Sequence, residues 1–352
     1  MTVFTTPSSN SLGDPGFGDH FLRLIGDGDE YGAIEAVTGL LDDGVDPRRI
    51  MLELIAPTQA RVGELWAADE WSIAREHAAT AISERAVAAV AARCAVRPTR
   101  GRITVACVDG EWHALPVRIL AEMLRLDGWR VDFLGASVPG PHLVTHLHQT
   151  GPDAVALSCM IATRLPRAHA AITACRSAGV PVIAGGRGFG PDGRFAFRLG
   201  ADAWAPDAQE AIERLGGDWP PPVGDPWEVP FQADDEYTYV VRARAELVGT
   251  TLTRLAMTYP PMNDYDQRQR DATAEDLGHV VDFLAAALYV SDERIFTDFV
   301  QWTGEVLKAR DVPPLALRAG LKMIRAQLRD YPAATTVLES GLASVALASP
   351  AG

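Results

Sequence analysis

The sequence predicts a multidomain α and α/β protein: an N-terminal helical bundle, a central doubly wound sheet of five parallel strands, and a C-terminal all-α domain. Before residue 95 and after residue 234, apolar residues recur at three- and four-residue spacing, as in amphipathic helices. Between these regions, short apolar runs alternate with helical segments, a pattern typical of parallel strands with helical crossovers.

The N-terminal region divides into a tail and the bundle. Residues 1–17 are rich in Ser, Gly and Pro and are predicted to be flexible. Residues 18–97 are predicted to form the bundle. In it, Asp46-Pro47 begins one helix, and an Ala-rich helix runs from about Ser72 to Cys94.

The central domain is predicted at residues 100–217. Its strands are RITVACV, VDFLG, DAVALS, PVIAG and ADAWA. In the flavodoxin-like strand order 2-1-3-4-5, the order reverses between strands 1 and 3, and ligands bind there at the carboxyl ends of the strands. After the Pro-rich linker at residues 218–233, four or five helices are predicted at 234–347.

The composition of the chain argues against several classes of protein. The 32 Lys and Arg residues against 46 Asp and Glu give a formal net charge of −14, which disfavours DNA binding because phosphates need a basic face. No long apolar run or basic leader is visible, so we expect a cytoplasmic protein with no membrane attachment. The cysteines have no CxxC spacing and are predicted to be buried free thiols: Cys94, Cys107, Cys159 and Cys175.

Residues suited to metal and cofactor binding follow three of the predicted strands. Glu111-Trp112-His113 follows strand 1, Ser158-Cys159-Met160 ends strand 3, and Gly185-Gly186-Arg187 ends strand 4. An imidazole is a good ligand for a soft-to-borderline metal, and a nearby carboxylate can hold its other ring nitrogen. The glycines leave room for a flat ring system.

These motifs resemble the cobalamin-binding domain family, which has Asp-x-His-x-x-Gly after strand 1, Ser-x-Leu after strand 3 and Gly-Gly after strand 4. Here Glu111 replaces the Asp, Met160 replaces the Leu and Pro116 replaces the last Gly of the first motif. The resemblance implies that His113 is the lower axial ligand of cobalt. It also implies that the dimethylbenzimidazole tail lies beside Ser158.

The same resemblance extends to further residues of the central domain. By it, the other side of the tail is formed by Gly185 and Gly186. The segment that contains Ser137 and Val138 also resembles the family, and the match covers essentially the whole domain.

In the bundle, Trp66 is followed after nine residues by Glu76-His77, with a helix break predicted near Asp69. This spacing resembles the cap of the CarH-type light-sensing adenosylcobalamin repressors. The resemblance implies that Trp66 shields the adenosyl group, Glu76 hydrogen-bonds its ribose and His77 lines the pocket. Ala67 stands where those repressors have a His that binds cobalt after photolysis, so we do not expect the same photoproduct.

The C-terminal domain is similar to globin-like sensor domains, and the order of the three parts resembles the photocobilins, which combine cobalamin with biliverdin. The resemblance implies a linear tetrapyrrole, biliverdin, bound without a thioether because the domain has no cysteine. Haem through His279, near a predicted helix start, and a plain dimerisation or docking domain are the alternatives. The candidate bilin residues are Arg254, Tyr259, Tyr265, Arg268, His279, Phe283 and Phe299.

Together these features favour a photoreceptor rather than an enzyme, in which photolysis of adenosylcobalamin changes domain or subunit packing. We expect a homo-oligomer, with a dimer favoured, that signals to a partner the sequence does not identify. One alternative is a corrinoid carrier for methyl transfer with a helical docking domain. Another is a flavin or nucleotide binder that uses Gly186, Gly188 and Gly190, although these follow strand 4 rather than strand 1.

Overall fold

The computed structural model describes residue 12 and residues 15–217, 219–220 and 235–347. Most of the tail predicted at 1–17 lies outside these residues, as does the linker predicted at 218–233 apart from 219–220. The last residues of the predicted tail are helical. The first helix begins at Pro15 and places Phe17 in the bundle core.

The bundle comprises α1 (Pro15–Gly26), α2 (Glu30–Asp42), α3 (Pro47–Arg49), α4 (Ala56–Ala67) and α5 (Ile73–Arg93). A π-helical stretch at Ile50–Ile55 joins α3 to α4. The side chain of Asp46 caps α3 by accepting the N–H of Arg48, and Ser72 caps α5 by accepting that of Arg75. Both predicted helix starts are therefore confirmed.

The central domain contains the strands β1 (Arg102–Val108), β2 (Arg130–Val138), β3 (Ala154–Ser158), β4 (Val182–Gly185) and β5 (Ala203–Ala205). Within the described residues they form one parallel sheet in the order β2-β1-β3-β4-β5, as predicted. The connecting helices are α6 (Ala114–Leu126), α7 (Gly140–Thr150), α8 (Leu165–Ser177), α9 (Arg194–Arg198) and α10 (Ala208–Gly216).

The C-terminal domain is helical, as predicted, with α11 (Asp235–Thr258), α12 (Gln267–Val290), α13 (Arg294–Ala309), α14 (Pro314–Gln327) and α15 (Pro332–Leu347). The expectation that His279 lies near a helix start is wrong. A capping box between Asp266 and Gln269 begins α12 at Gln267, which places His279 in the middle of this helix.

Two hydrophobic clusters lie on opposite faces of the sheet. Successive side chains of β1 alternate between them: Ile103 and Val105 belong to one, Ala106 and Val108 to the other. The first cluster continues through α6 and α10 into the bundle, and the second continues through α7, α8 and α9 into the C-terminal domain. The sheet is therefore sandwiched between the two helical domains.

Polar contacts reinforce the packing of the C-terminal domain on the sheet domain. The hydroxyl of Tyr289 lies 2.7 Å from Nδ1 of His169 on α8, and Arg198 donates a hydrogen bond to the carbonyl of Val290.

The three thiols of the sheet domain are buried, and burial raises the pKa of Cys107 to about 12. Among the described residues, every helix is too short or too polar to cross a membrane.

We expect Phe296→Ala to lower the free energy of unfolding by about 3–5 kcal/mol, because the ring is fully buried where α13 packs on α15 and its loss leaves a cavity. Urea denaturation followed by circular dichroism measures this change. Phe197→Ala, at an exposed ring on α9, is the matched control and should cost less than about 1 kcal/mol. Equal effects of the two variants would contradict the assignment of Phe296 to the core.

Candidate cobalamin site

The loops that follow β1 and β3 meet at the side chain of Glu111, which is 1% exposed. Its Oε1 accepts the N–H of His113 at 3.0 Å and lies 2.5 Å from Nδ1 of the same residue. Its Oε2 accepts the backbone N–H groups of Met160 at 2.8 Å and Ile161 at 3.1 Å. One buried carboxylate therefore fixes the relative positions of two loops and one imidazole.

These hydrogen bonds decide the charge of the pair. Burial acts to raise the pKa of the Glu111 carboxyl, but the hydrogen bonds from His113 and Met160 outweigh it and hold the pKa at about 2. The hydrogen bond to Glu111 in turn raises the pKa of His113, against the effect of burial. Glu111 is thus an anion at neutral pH, and it engages Nδ1 of the imidazole while leaving Nε2 for another bond.

His113 presents this second nitrogen to the solvent. Its side chain is 55% exposed, and Nε2 has no hydrogen-bond partner among the described residues. His113 directly precedes α6, so its backbone is held at the start of that helix. The neighbouring Trp112 is 72% exposed and could cover a large planar ligand.

The single imidazole of His113 suits a metal ion that is already bound by most of its ligands within a cofactor. Over the part of the chain that the structure describes, no three His, Cys, Asp or Glu side chains cluster closely enough to hold a metal ion. One imidazole supplies a single nitrogen, so the remaining ligands must come from the cofactor itself. A corrinoid meets this requirement because its macrocycle surrounds the cobalt.

The ends of β3 and β4 lie against each other. Ser158 pairs with Gly185 in the sheet, and it is nearly buried. Gly186 adopts a φ of +100°, and a Cβ there would lie 2.4 Å from the carbonyl oxygen of Cys159. Gly186 therefore lets the two loops touch, and the space beside it is taken by the chain itself. Arg187 follows and lines a neighbouring cavity.

The end of β2 supports the loop that carries the imidazole. Ser137, with a φ of +49°, accepts the N–H of Gly110 on its Oγ at 3.0 Å, and its own N–H donates to the carbonyl of Glu111 at 2.9 Å. Val138 pairs with Val108 at the end of β1. Ser137 and Val138 thus act on the site through the backbone of the β1 loop.

In the bundle, α4 ends directly after Trp66 and α5 begins at Ile73, so the predicted helix break is confirmed. Glu76 lies in the first turn of α5, and its charge contributes to the raised pKa of His113. His77 lies 2.6 Å from Oε2 of Glu76, and its side chain is largely exposed.

A second hydrogen-bond chain holds Glu76, and the sequence did not point to it. Thr80 donates to Oε1 of Glu76 at 3.0 Å, and Gln59 on α4 donates to Thr80 at 2.6 Å. Thr80 lies one helical turn after Glu76, which is the signal that could have identified it. Gln59 lies on another helix, so no local spacing connects it to the carboxylate.

Residues 101–215 match the B12 binding domain family, and residues 19–91 match a second family of the same description. The first two domains are B12-binding domains. These matches agree with the three sheet-edge motifs and with the helical bundle that precedes them, and they indicate cobalamin as the cofactor of this pair of domains. The family matches end before α11 begins.

Individual relatives agree with this assignment. The chain is 34% identical over 145 residues to the HTH-type transcriptional repressor CarA of Myxococcus xanthus. The matched segment covers 40% of this chain and 49% of CarA. The chain thus spans about half the length of that relative. This chain is also 24% identical over 201 residues to the trimethylamine corrinoid protein of Methanosarcina barkeri. That match covers 55% of this chain and 92% of the corrinoid protein.

A solved structure shares the fold. The monomethylamine corrinoid protein of Methanosarcina barkeri superposes with a TM-score of 0.51 at 18% identity, over 57% of this chain and 97% of that chain. At this identity the similarity concerns the fold of the bundle and sheet domains rather than their activity.

A cavity of about 380 Å³ lies between the sheet domain and the C-terminal domain, at one side of their shared contact. Met160, Ile161 and Arg187 line one side. Phe283 and Phe299, two of the candidate bilin residues, line the other, and their rings stack with centroids 3.9 Å apart. The cavity therefore joins the rim of the cobalamin site to the aromatic residues of the third domain.

The other candidate bilin residues lie elsewhere. Arg268 and Phe283 are fifteen residues apart on α12, which corresponds to roughly 22 Å along a helix. Arg254 lies in a shallow groove on α11, and His279 is exposed with its Nε2 4.0 Å from Glu275. The remaining two, Tyr259 and Tyr265, flank the turn between α11 and α12.

Replacing Glu111 with Gln should weaken cobalamin binding by about 10- to 100-fold, because the amide NH2 group cannot accept the N–H bonds that one carboxylate oxygen now receives. Titration of the apoprotein with hydroxocobalamin, followed by absorption, measures the affinity. Glu84→Gln, at an exposed carboxylate on α5, is the matched control and should bind normally. Unchanged affinity in the Glu111 variant would show that the carboxylate does not orient the imidazole.

Proposed function

We propose that the chain is a light-sensing adenosylcobalamin protein in which loss of the adenosyl group alters domain packing. The observation that carries the proposal is the placement of Trp66 and Glu76 at adjoining ends of α4 and α5, with the Glu76 carboxylate held by His77 at 2.6 Å and by Thr80 at 3.0 Å. The spacing of these cap residues resembles the light-sensing repressors, and the sequence similarity to CarA supports the same assignment.

In this proposal, Nε2 of His113 would bind the cobalt, and Glu111 holds the imidazole in the required orientation. Bound adenosylcobalamin would supply a light-sensitive cobalt–carbon bond. Trp66 and Glu76 would contact its adenosyl group, with His77 beside them. Because these contacts would exist only while the adenosyl group is bound, light would change the preferred position of the bundle on the sheet domain.

We expect the protein to retain adenosylcobalamin through gel filtration in the dark and to change its spectrum and its hydrodynamic radius or subunit number after green light. His113→Ala should lose the absorption bands of the histidine-ligated cofactor. His148→Ala removes an exposed imidazole on α7 and should behave as the parent protein. An adenosylcobalamin-loaded protein whose size and shape stay constant after complete photolysis would contradict the sensor proposal.

A corrinoid carrier for methyl transfer is the second candidate. It is favoured by the match to the trimethylamine corrinoid protein, which spans 92% of that protein. The carrier role needs an upper face open to a donor or acceptor enzyme. Methylcobalamin-loaded protein that exchanges its methyl group with such an enzyme, without any response of its packing to light, would favour the carrier.

We further propose that the C-terminal domain binds biliverdin non-covalently. The stacked pair Phe283 and Phe299 in the interdomain cavity supports an apolar planar ligand, and Arg187 on the cavity wall suits a propionate, whereas Arg194 and Arg294 already form ion pairs with Asp292. The candidates Arg254, Tyr259, Tyr265 and Arg268 define a separate surface around the start of α12.

Phe299→Ala and Arg254→Ala distinguish these two locations. If biliverdin occupies the cavity, the Phe299 variant should lose about tenfold or more in affinity, by analogy with loss of a buried aromatic contact, while the Arg254 variant binds normally. The binding titration is followed by visible absorption. The opposite pattern would place the ligand at α11, and no binding by the parent protein would exclude biliverdin.

A further inference from the structure

The C-terminal domain contacts the bundle at the residue proposed to cover the cofactor. Trp302 on α13 stacks on Trp66, with ring centroids 6.1 Å apart and planes at 28°. Trp302 remains 45% exposed, so its ring lies at the surface of its own domain. On the other side it lies 6.5 Å from the ring of Phe299. A row of aromatic rings thus runs from Trp66 to the interdomain cavity.

Arg310, directly after α13, contacts the same end of α4 through its charged guanidinium. Its guanidinium donates to the backbone carbonyls of Trp66 at 3.0 Å and Ala67 at 3.3 Å. It also forms an ion pair with Asp69 at 3.5 Å and lies 5.3 Å from the centre of the Trp66 ring. The last carbonyls of a helix lack intrahelical partners and carry the negative end of its dipole, so a cation is favourable there. Arg310 therefore caps α4 from another domain.

This contact joins the C-terminal domain and the bundle, which are attached to the sheet domain separately. The C-terminal domain is attached to the sheet domain through the shared hydrophobic cluster and through Tyr289 and His169, none of which involves the bundle. Trp66 belongs to the bundle. A shift of Trp66 relative to the sheet must therefore either break the contacts with Arg310 and Trp302 or move α13.

We propose that Arg310 and Trp302 are positioning residues for Trp66, and that they couple its position over the corrin to the position of α13. This inference rests on the proposed function, because it concerns the upper face of adenosylcobalamin. Coupling between two sites is reciprocal: the third domain stabilises the closed cap, and departure of the adenosyl group loosens the third domain. The two residues would act on the cofactor only through Trp66.

The test compares Arg310→Ala and Trp302→Leu with Arg325→Ala, which removes an exposed ion pair to Glu339 elsewhere in the same domain. In the dark, the first two variants should lose adenosylcobalamin about tenfold faster than the parent, the change expected from one lost charge-assisted contact. Binding of hydroxocobalamin, which has no adenosyl group to cover, should stay within about twofold. Arg310→Lys keeps the charge but not the planar fork and should recover part of the effect.

Hydrogen exchange in the cofactor-free protein gives a readout that does not need the ligand. The amides of residues 66–70 should exchange faster in Arg310→Ala than in the parent or in Arg325→Ala, because the end of α4 loses its cap. In the loaded parent protein, green light should increase exchange at the end of α13, and in Arg310→Ala this light response should disappear.

Two kinds of failure can be told apart. If the parent responds to light but Arg310→Ala and Trp302→Leu release adenosylcobalamin at the parent rate, with unchanged exchange at residues 66–70, the positioning role is wrong. If the parent itself shows no light response, the proposed function fails. The exchange comparison in the cofactor-free protein then still decides whether Arg310 holds the end of α4.

Discussion

The geometry of the cobalamin site depends on the buried carboxylate of Glu111. An unpaired charge in the interior costs several kcal/mol, so this side chain is stable only while its partners stay in place. Those partners are the imidazole and amide of His113 and the amides of Met160 and Ile161. Loops from two strands are therefore locked together before any cofactor binds, and the free imidazole nitrogen already points out of the loop.

The sheet gives this site its surroundings. Both faces of the sheet are covered by crossover helices, with the bundle packed outside α6 and the C-terminal domain packed outside α8. The two helical domains meet at Trp66, through Trp302 and Arg310. The cofactor edge of the sheet is thus also the junction of the three domains.

Regular patterns allowed the strand order and the helix break before α5 to be predicted from sequence, whereas the match of the first two domains to B12-binding families followed from the resemblance of short motifs to that family. The residues Glu111 and His113 could be picked out because they lie two positions apart in the chain and follow a buried strand. The glycines after β4 were predicted to leave room for a flat ring system, and at Gly186 the chain approaches Cys159, a neighbour only in the folded sheet.

Other features of the site have no local signal. Arg310 lies more than 240 positions from Trp66, and nothing in the surrounding residues separates it from an ordinary helix-ending arginine. Gln59 reaches Glu76 only through Thr80 on the next helix. The start of α12 was placed too late because the capping Asp266 follows a Pro-rich turn whose periodicity is weak. Long-range pairing, rather than composition, decides these positions.

The continuous hydrophobic cluster between the sheet and the C-terminal domain has an evolutionary consequence. Where α12 packs against α8 and the turn at Ala162–Arg164, the sheet domain offers an apolar surface that water would otherwise wet. Removal of the C-terminal domain would expose this surface to water, so a stable two-domain form of this chain would also need polar residues on the outward side of α8. The chemical character of that helix, and not of the cofactor loops, should therefore distinguish two-domain from three-domain lineages.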